Sequence, residues 1–249
     1  ICHCLVGSEM CIRDRAFICT QDLKDEEYVN SNYVIMATKM GQVKKTSLEQ
    51  YSRPRSNGIN AITIKDGDEL LEAKLTNGNS QIMLAVKSGK AIRFEESKTR
   101  PMGRNASGVR GIRLKDNKDE VVGMISVNDM DANILVVSEN GYGKRSSLED
   151  YRLTNRGGKG VKTISITEKT GKLVTLKSVS DSDDLMIINK SGIAIRMQVE
   201  DLRVMGRATQ GVKVISLKDG DSIAAVAKVM KDDDDLEDIN EIEFTGDTV

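Results

Sequence analysis

The 249-residue sequence has no tryptophan, one histidine, two prolines and aromatic residues at only 3% of its positions. A core built from it must be aliphatic, drawn from its Ile, Val, Leu and Met. With His3 as the sole histidine, a Ser-His-Asp triad is excluded. No GxxxxGK[ST] stretch occurs, and no strand-loop-helix context supports nucleotide binding. Nor do Asp and Glu fall into a set that could be placed in one pocket. No catalytic residue and no bound cofactor are therefore expected.

No apolar run approaches the roughly 20 residues that a membrane-crossing helix needs. Nothing resembles a secretory signal either, so the cytoplasm is the expected compartment and no membrane partner is expected. All four cysteines (Cys2, Cys4, Cys11, Cys19) precede residue 20, which is not the distribution of a disulfide framework and suits a reducing compartment. Cys2-His3-Cys4 lacks the paired CxxC-like spacing that closes a four-ligand zinc site, so no metal is expected. Residues 1–15 fit nothing later in the chain and read as a non-repeat, non-native segment.

What is present is charge, unevenly placed. Residues 232–249 hold nine acidic side chains and no Lys or Arg. Removing nine negative charges from a net charge of −1 leaves +8 on residues 1–231. The chain reads as a basic body with an acidic, disordered tail, an asymmetry that points to a polyanionic partner. Tethered this closely, the tail is expected to compete with that partner for the basic body.

The organising stretch is residues 140–163, which carries a Gly-centred turn, Lys144-Arg145, and then Arg156-Gly157-Gly158-Lys159-Gly160. A glycine loop with two cations can bring backbone N–H groups and positive side chains to one anion. The same frame recurs about every 50 residues, the range of stacked or radial repeats. One glycine set is Gly41, Gly89, Gly141 and Gly192; the other is Gly58, Gly108, Gly160 and Gly211. Four repeats follow, at about residues 33–79, 80–130, 131–181 and 182–231, behind a partial unit over residues 16–32. Short apolar runs bounded by Gly, Asn and Asp read as strands. They predict a strand after each second glycine, over residues 59–64, 109–114, 161–166 and 212–217. No helical periodicity of useful length is seen. Four strands per unit predict an all-β, propeller-like fold over residues 16–231. The incomplete first unit predicts an unpaired edge at the start of the body.

Each repeat places cations twice. One group follows the first turn: Lys44, Lys45, Lys90, Arg93, Lys144, Arg145 and Arg196. The other sits in the long loop: Arg53, Arg55, Arg100, Arg104, Arg156, Lys159 and Arg207, with Arg110, Arg152, Arg203 and Lys213 beside them. Radial repeats would align both groups into a belt. A belt suits duplex DNA, which presents a phosphate charge about every 1.7 Å of axis and needs no base reading to be held.

Several segments carry a family resemblance. They are Met36-Ala37-Thr38-Lys39, Val43-Lys44-Lys45-Thr46, Arg100-Pro101-Met102-Gly103-Arg104, Glu139-Asn140-Gly141-Tyr142-Gly143-Lys144-Arg145, and Gly206-Arg207 with Thr209-Gln210-Gly211-Val212. Over residues 16–229 the chain resembles the C-terminal DNA-wrapping domain of the DNA gyrase A subunit. The resemblance implies a six-bladed β-pinwheel that exchanges strands between neighbouring blades and wraps DNA on its basic perimeter. The family's hallmark box, Gln-Arg-Arg-Gly-Gly-Lys-Gly, lies in its first blade. Here Thr154-Asn155-Arg156-Gly157-Gly158-Lys159-Gly160 matches its last five residues, and the four repeats would be blades three to six. The resemblance further implies partnership with the rest of the gyrase A protein and with the gyrase B protein, in an A2B2 enzyme of the bacterial cytoplasm and nucleoid. That enzyme supercoils DNA using ATP and Mg bound in other parts, and its cleaving tyrosine lies upstream. Tyr51 and Tyr151, at matching repeat positions, are expected to pack. Two alternatives stay open: the equivalent domain of topoisomerase IV, and a protein-interaction propeller.

Overall fold

The computed structural model describes residue 16, residues 18–218 and residues 220–230. Residues 1–15 and 232–249 lie outside the described residues, and so do the expectations of a non-native start and a competing acidic tail. The described chain is almost entirely β. One departure is a six-residue helix, α1 (Glu26–Ser31), capped where the Asp25 carboxylate accepts from the Glu27 and Tyr28 amides. It is too short for periodicity to reveal. No described helix is long and apolar enough to cross a membrane.

Four small antiparallel sheets follow one another. The first holds β1 (Tyr33–Thr38), β2 (Gln42–Ser47) and β3 (Leu70–Thr76). The second holds β4 (Gln81–Val86), β5 (Lys90–Glu95) and, after the short β6 (Val109–Arg110), β7 (Val121–Val127). The third holds β8 (Asn133–Ser138), β9 (Tyr142–Ser147) and, beyond the two-residue β10 (Leu153–Thr154) and β11 (Val161–Lys162), β12 (Leu173–Val179). The fourth holds β13 (Asp183–Asn189), β14 (Ala194–Gln198) and, after β15 (Val212–Lys213), β16 (Ile223–Met230). In each, the first strand lies between the other two, and β3, β7, β12 and β16 pack in succession, as propeller blades do.

The first hairpins turn where the sequence places glycine. Gly41, Gly89, Gly141 and Gly192 all have φ between +80° and +87°, which a side chain resists. The central strands β1, β4 and β8 read as unbroken apolar runs because both faces are covered, by neighbouring sheets for β4 and β8 and by one sheet plus the segments around α1 for β1. Ile82, Leu84 and Val86 face the first sheet, packing with Ile35, Ala37 and Val43. Met83 and Ala85 face the third, with Ile134, Val136 and Tyr151. Leu135 and Val137 then face Leu185 and Ile187 of the fourth. The core is thus a series of layers between blades.

The fourth strand of each blade corrects the sequence reading twice. The strand expected over residues 109–114 shrinks to Val109–Arg110, and those over 161–166 and 212–217 likewise to two residues. Beyond them the chain dives inward, where Ile112, Ile164 and Ile215 are buried between sheets. These short strands also belong to the preceding blade. β6 pairs with β2, β11 with β5, and β15 with β9. Strand exchange between neighbours is therefore present.

The expected strand over residues 59–64 has no ladder at all. Its Ile59, Ala61 and Ile62 pack with Val29, Tyr28 and Leu23 over the outer face of the first sheet. Donation runs from a later repeat to an earlier one. Among the described residues the open acceptor edge is therefore β14, not the start of the body, which α1 and residues 59–62 cover.

Candidate nucleic-acid interface

The exchange places the long loops of the last three repeats on the outer edge of the blade before each of them. Pro101 and Val204 bridge in parallel to Lys45 and Arg145, and β10 pairs in parallel with β5 at Leu153 and Arg93. Each loop then re-enters through a glycine of positive φ: Gly108, Gly160 and Gly211. A Cβ on Gly160 would lie 2.6 Å from the Ala91 carbonyl oxygen, so the loop seats backbone on backbone. The loops are stitched in series. The Thr63 amide donates to Ala106 (3.3 Å), Arg113 to Gly158 (2.8 Å) and Ser165 to Thr209 (3.0 Å). A continuous rim results.

That rim carries the second cation group. Arg53, Arg55, Arg100 and Lys159 are exposed, and Arg104, Arg156 and Arg207 are partly so. Arg53, Arg55 and Arg104 converge on one depression with Glu49 and Gln50. Gly157 (φ +80°) turns the box-like loop, and Gly160 (φ +70°) returns it to the blade. A cavity of about 180 Å³ opens under that loop between Ile92, Arg152, Asn155 and Lys159. Arg110 and Lys213, the second residues of their exchanged strands, are exposed. So is Lys162 at the same position of β11, and so is Arg113. Neither was singled out from sequence. For Lys162 the signal was there: the Gly-Val-cation triplet recurs in three repeats.

The first cation group is corrected. Lys44 and Lys144 have no exposed surface, and Lys45, Arg93 and Arg145 are buried as well. The next blade covers them, so they do not stand on the belt. Arg93 donates to the Leu148 and Tyr151 carbonyl oxygens at 2.9 and 3.0 Å. Arg145 donates to the Leu202 carbonyl oxygen and to Asp181. Lys45 pairs with buried Glu96 at 2.8 Å and lies 4.0 Å over the Tyr33 ring. These side chains latch one blade to the next, as buried charges must be paired and bonded to persist. Lys44 donates to the carbonyl oxygens of Ala61 (2.5 Å) and Arg104, and Lys144 to that of Gly206 (2.6 Å). Burial pushes both lysines down to about 8, with Arg104 adding to the effect at Lys44. Arg196, with no later blade among the described residues to cover it, stays exposed and bonds to Asp184 of its own sheet.

Tyr51 and Tyr151 are buried, and burial raises both above the ordinary tyrosine value. Among the described residues no group of three or more His, Cys, Asp or Glu could hold a metal ion.

Comparison with known proteins accords with this architecture. The family of the DNA gyrase C-terminal domain, beta-propeller, matches four times, over residues 32–77, 81–128, 132–180 and 183–230. The DNA gyrase A subunit of Staphylococcus epidermidis is 45% identical over 218 residues, covering 87% of this chain and 24% of that protein. Its Staphylococcus aureus counterpart is 44% identical over 234 residues, covering 93% and 26%. The chain thus spans about a quarter of the length of these relatives. A solved C-terminal domain of DNA topoisomerase IV superposes with a TM-score of 0.76 at 26% identity, covering 80% of this chain and 62% of that one. A solved DNA gyrase A C-terminal domain gives 0.72 at 27%, covering 81% and 67%. With four matched repeats, four blades and exchanged strands, the chain belongs to the DNA gyrase C-terminal domain family of β-propellers.

Proposed function

We propose that this chain binds duplex DNA through its phosphate backbone, without reading sequence, and wraps it along the rim. One observation carries the reading: consecutive loops are hydrogen-bonded to each other, so their cations form one row. Arg100, Arg110, Arg152, Lys159, Lys162 and Lys213 are exposed along that row. A row of flexible cations suits regularly spaced phosphates, and it offers no helix or ribbon to enter a groove.

At the level of the whole enzyme, the proposal is that this part serves the DNA gyrase A protein in ATP-dependent negative supercoiling. Its partners would be the rest of that protein and the gyrase B protein, in an A2B2 assembly of the bacterial cytoplasm. ATP and Mg belong to other parts of that enzyme. The family membership and the 44–45% identical gyrase relatives support it.

The test is binding of two unrelated duplexes over a salt series. Equal affinities are expected, with log K falling linearly against log salt at about −0.9 per phosphate neutralised. Binding indifferent to salt overturns the reading. A second reading, the equivalent part of topoisomerase IV, is favoured by the 0.76 superposition. Grafting the chain in place of the matching part of a gyrase A protein separates the two. Negative supercoiling by the hybrid supports gyrase; relaxation alone supports topoisomerase IV.

A further inference from the structure

Three residues after each turn glycine, the four repeats carry Lys44, Ile92, Lys144 and Ile195, opposite Met36, Leu84, Val136 and Ile187. The position is one, but its chemistry alternates. The alternation follows the loop laid over it. Lys44 and Lys144 lie under the two loops with Met-Gly-Arg, at Met102-Gly103-Arg104 and Met205-Gly206-Arg207. Ile92 lies under the Arg156-Gly157-Gly158 loop, where a Cβ on Gly158 would stand 3.4 Å from its Cδ1.

We propose that Lys44 and Lys144 are positioning residues, internal posts that clamp the Met-Gly-Arg loops and fix where Arg104 and Arg207 stand on the rim. The inference rests on the DNA-binding reading for its functional consequence, though not for the clamp itself. A lysine ammonium has three donors and no acceptor, so once buried it must be surrounded by oxygens. Lys144 finds the Gly206 carbonyl at 2.6 Å and the Thr209 hydroxyl at 3.2 Å, both in one loop. Lys44 joins the Arg104 carbonyl to that of Ala61, in the neighbouring segment. Tyr51 donates to the same Ala61 oxygen at 3.2 Å. The loop over Ile92 has no such post. Contacts at its own glycines hold it instead: the Gly157 amide donates to Gly111 at 2.6 Å, and Arg113 donates to the Gly158 carbonyl.

The charged surroundings tie the posts to an anion outside. Around Lys144, Asp150 favours the ammonium while Arg207 and Lys162 oppose it; at Lys44 the opposing charge is Arg104. A phosphate neutralising Arg207 or Arg104 relieves that opposition, so anion binding and protonation of the post assist each other.

The test uses Lys144→Ile and Lys44→Ile in the full chain, since Ile92, buried under its own loop, shows that the fold accepts isoleucine there. Hydrogen exchange of the Met205 and Thr209 amides, without DNA, is expected to quicken about ten-fold in Lys144→Ile. Affinity for a duplex is expected to fall about five-fold, the effect of losing charge-assisted bonds. From pH 7 to 9 at fixed ionic strength, wild-type affinity should fall more than that of the double variant. Unchanged exchange in Lys144→Ile overturns the posts. If exchange quickens but the wild type binds no DNA, the posts stand and the DNA reading falls. Should isoleucine prevent folding, Lys144→Met keeps the length of the side chain without the charge and is read in the same way.

Discussion

The Arg156 guanidinium donates to the Arg110 carbonyl oxygen at 3.1 Å, and to that of Lys98 at 2.9 Å. One blade on, Arg207 repeats the contact with the Lys162 carbonyl at 2.9 Å. In the third and fourth repeats, then, an arginine of the outer loop is hooked onto the exchanged strand of the loop before it. Arg156 therefore has a structural task that its neighbour Lys159 lacks. Arg156→Ala should cost about 1 kcal/mol of stability, the scale of a partly exposed charged hydrogen bond, and weaken DNA binding as well. Lys159→Ala should leave the thermal midpoint unchanged and reduce the salt slope of binding by about 1. Equal midpoints for the two variants would show that the hook contributes nothing.

Gly160→Val should behave differently from any loop cation. Gly160 has φ +70°, and its added Cβ would meet Ala91 backbone atoms at 2.6 and 2.9 Å. Strain and clash together should cost at least about 2 kcal/mol. Gly58 has φ +76° with nothing within 4 Å of a Cβ, because no described blade lies against it. Gly58→Ala should therefore cost only the backbone strain, about 1–2 kcal/mol. Chemical denaturation of both proteins decides the matter, and equal losses would refute the seating of Gly160.

The same contrast shows what the sequence could and could not reveal. The turn glycines and the apolar runs were legible because a hairpin and a two-faced central strand leave local patterns. The destination of the exchanged strands was not legible from residues alone. Val109 pairs with Val43, far away in sequence, and the pairing leaves no mark on either segment beyond Gly108. The most consequential error concerned Lys44 and Lys144. Lysines in a row with Arg or Lys read as surface charge, and only the arrival of the next blade's loop turns them inward. The outer-loop cations kept their place because glycine-rich segments between short strands have no apolar face to bury.

Stability should rise with pH through the range where the buried lysines lose their protons. Both stand at about 8 in the folded chain against an ordinary 10.5. Between those values the unfolded chain binds more protons than the folded one, so ∂ΔG/∂pH of unfolding is positive there. Burial raises Tyr51 and Tyr151, which keeps them neutral over most of that window. Relative to the Lys44→Ile/Lys144→Ile double variant, the wild-type midpoint should climb from pH 8 to 10 and stay level below 7. A difference independent of pH would mean that the buried amines keep ordinary proton affinity.

The last blade should make the chain associate with itself at high concentration. β2, β5 and β9 each have an outer edge covered by residues of the following repeat. β14 has no such cover among the described residues, and Ile193 and Ile195 are 46% and 40% exposed along it. An uncovered edge with apolar side chains offers both a row of backbone groups and a hydrophobic gain to another chain. Ile195→Lys removes the second and puts a charge on the edge, the device by which natural edge strands avoid pairing. Ile195 is already 40% exposed and lies outside the buried core, so the folded blade should lose little. Sedimentation at increasing concentration should show the variant staying monomeric to about ten-fold higher concentration, the equivalent of some 1–2 kcal/mol of apolar contact. Identical association of wild type and variant would place the contact elsewhere on the surface.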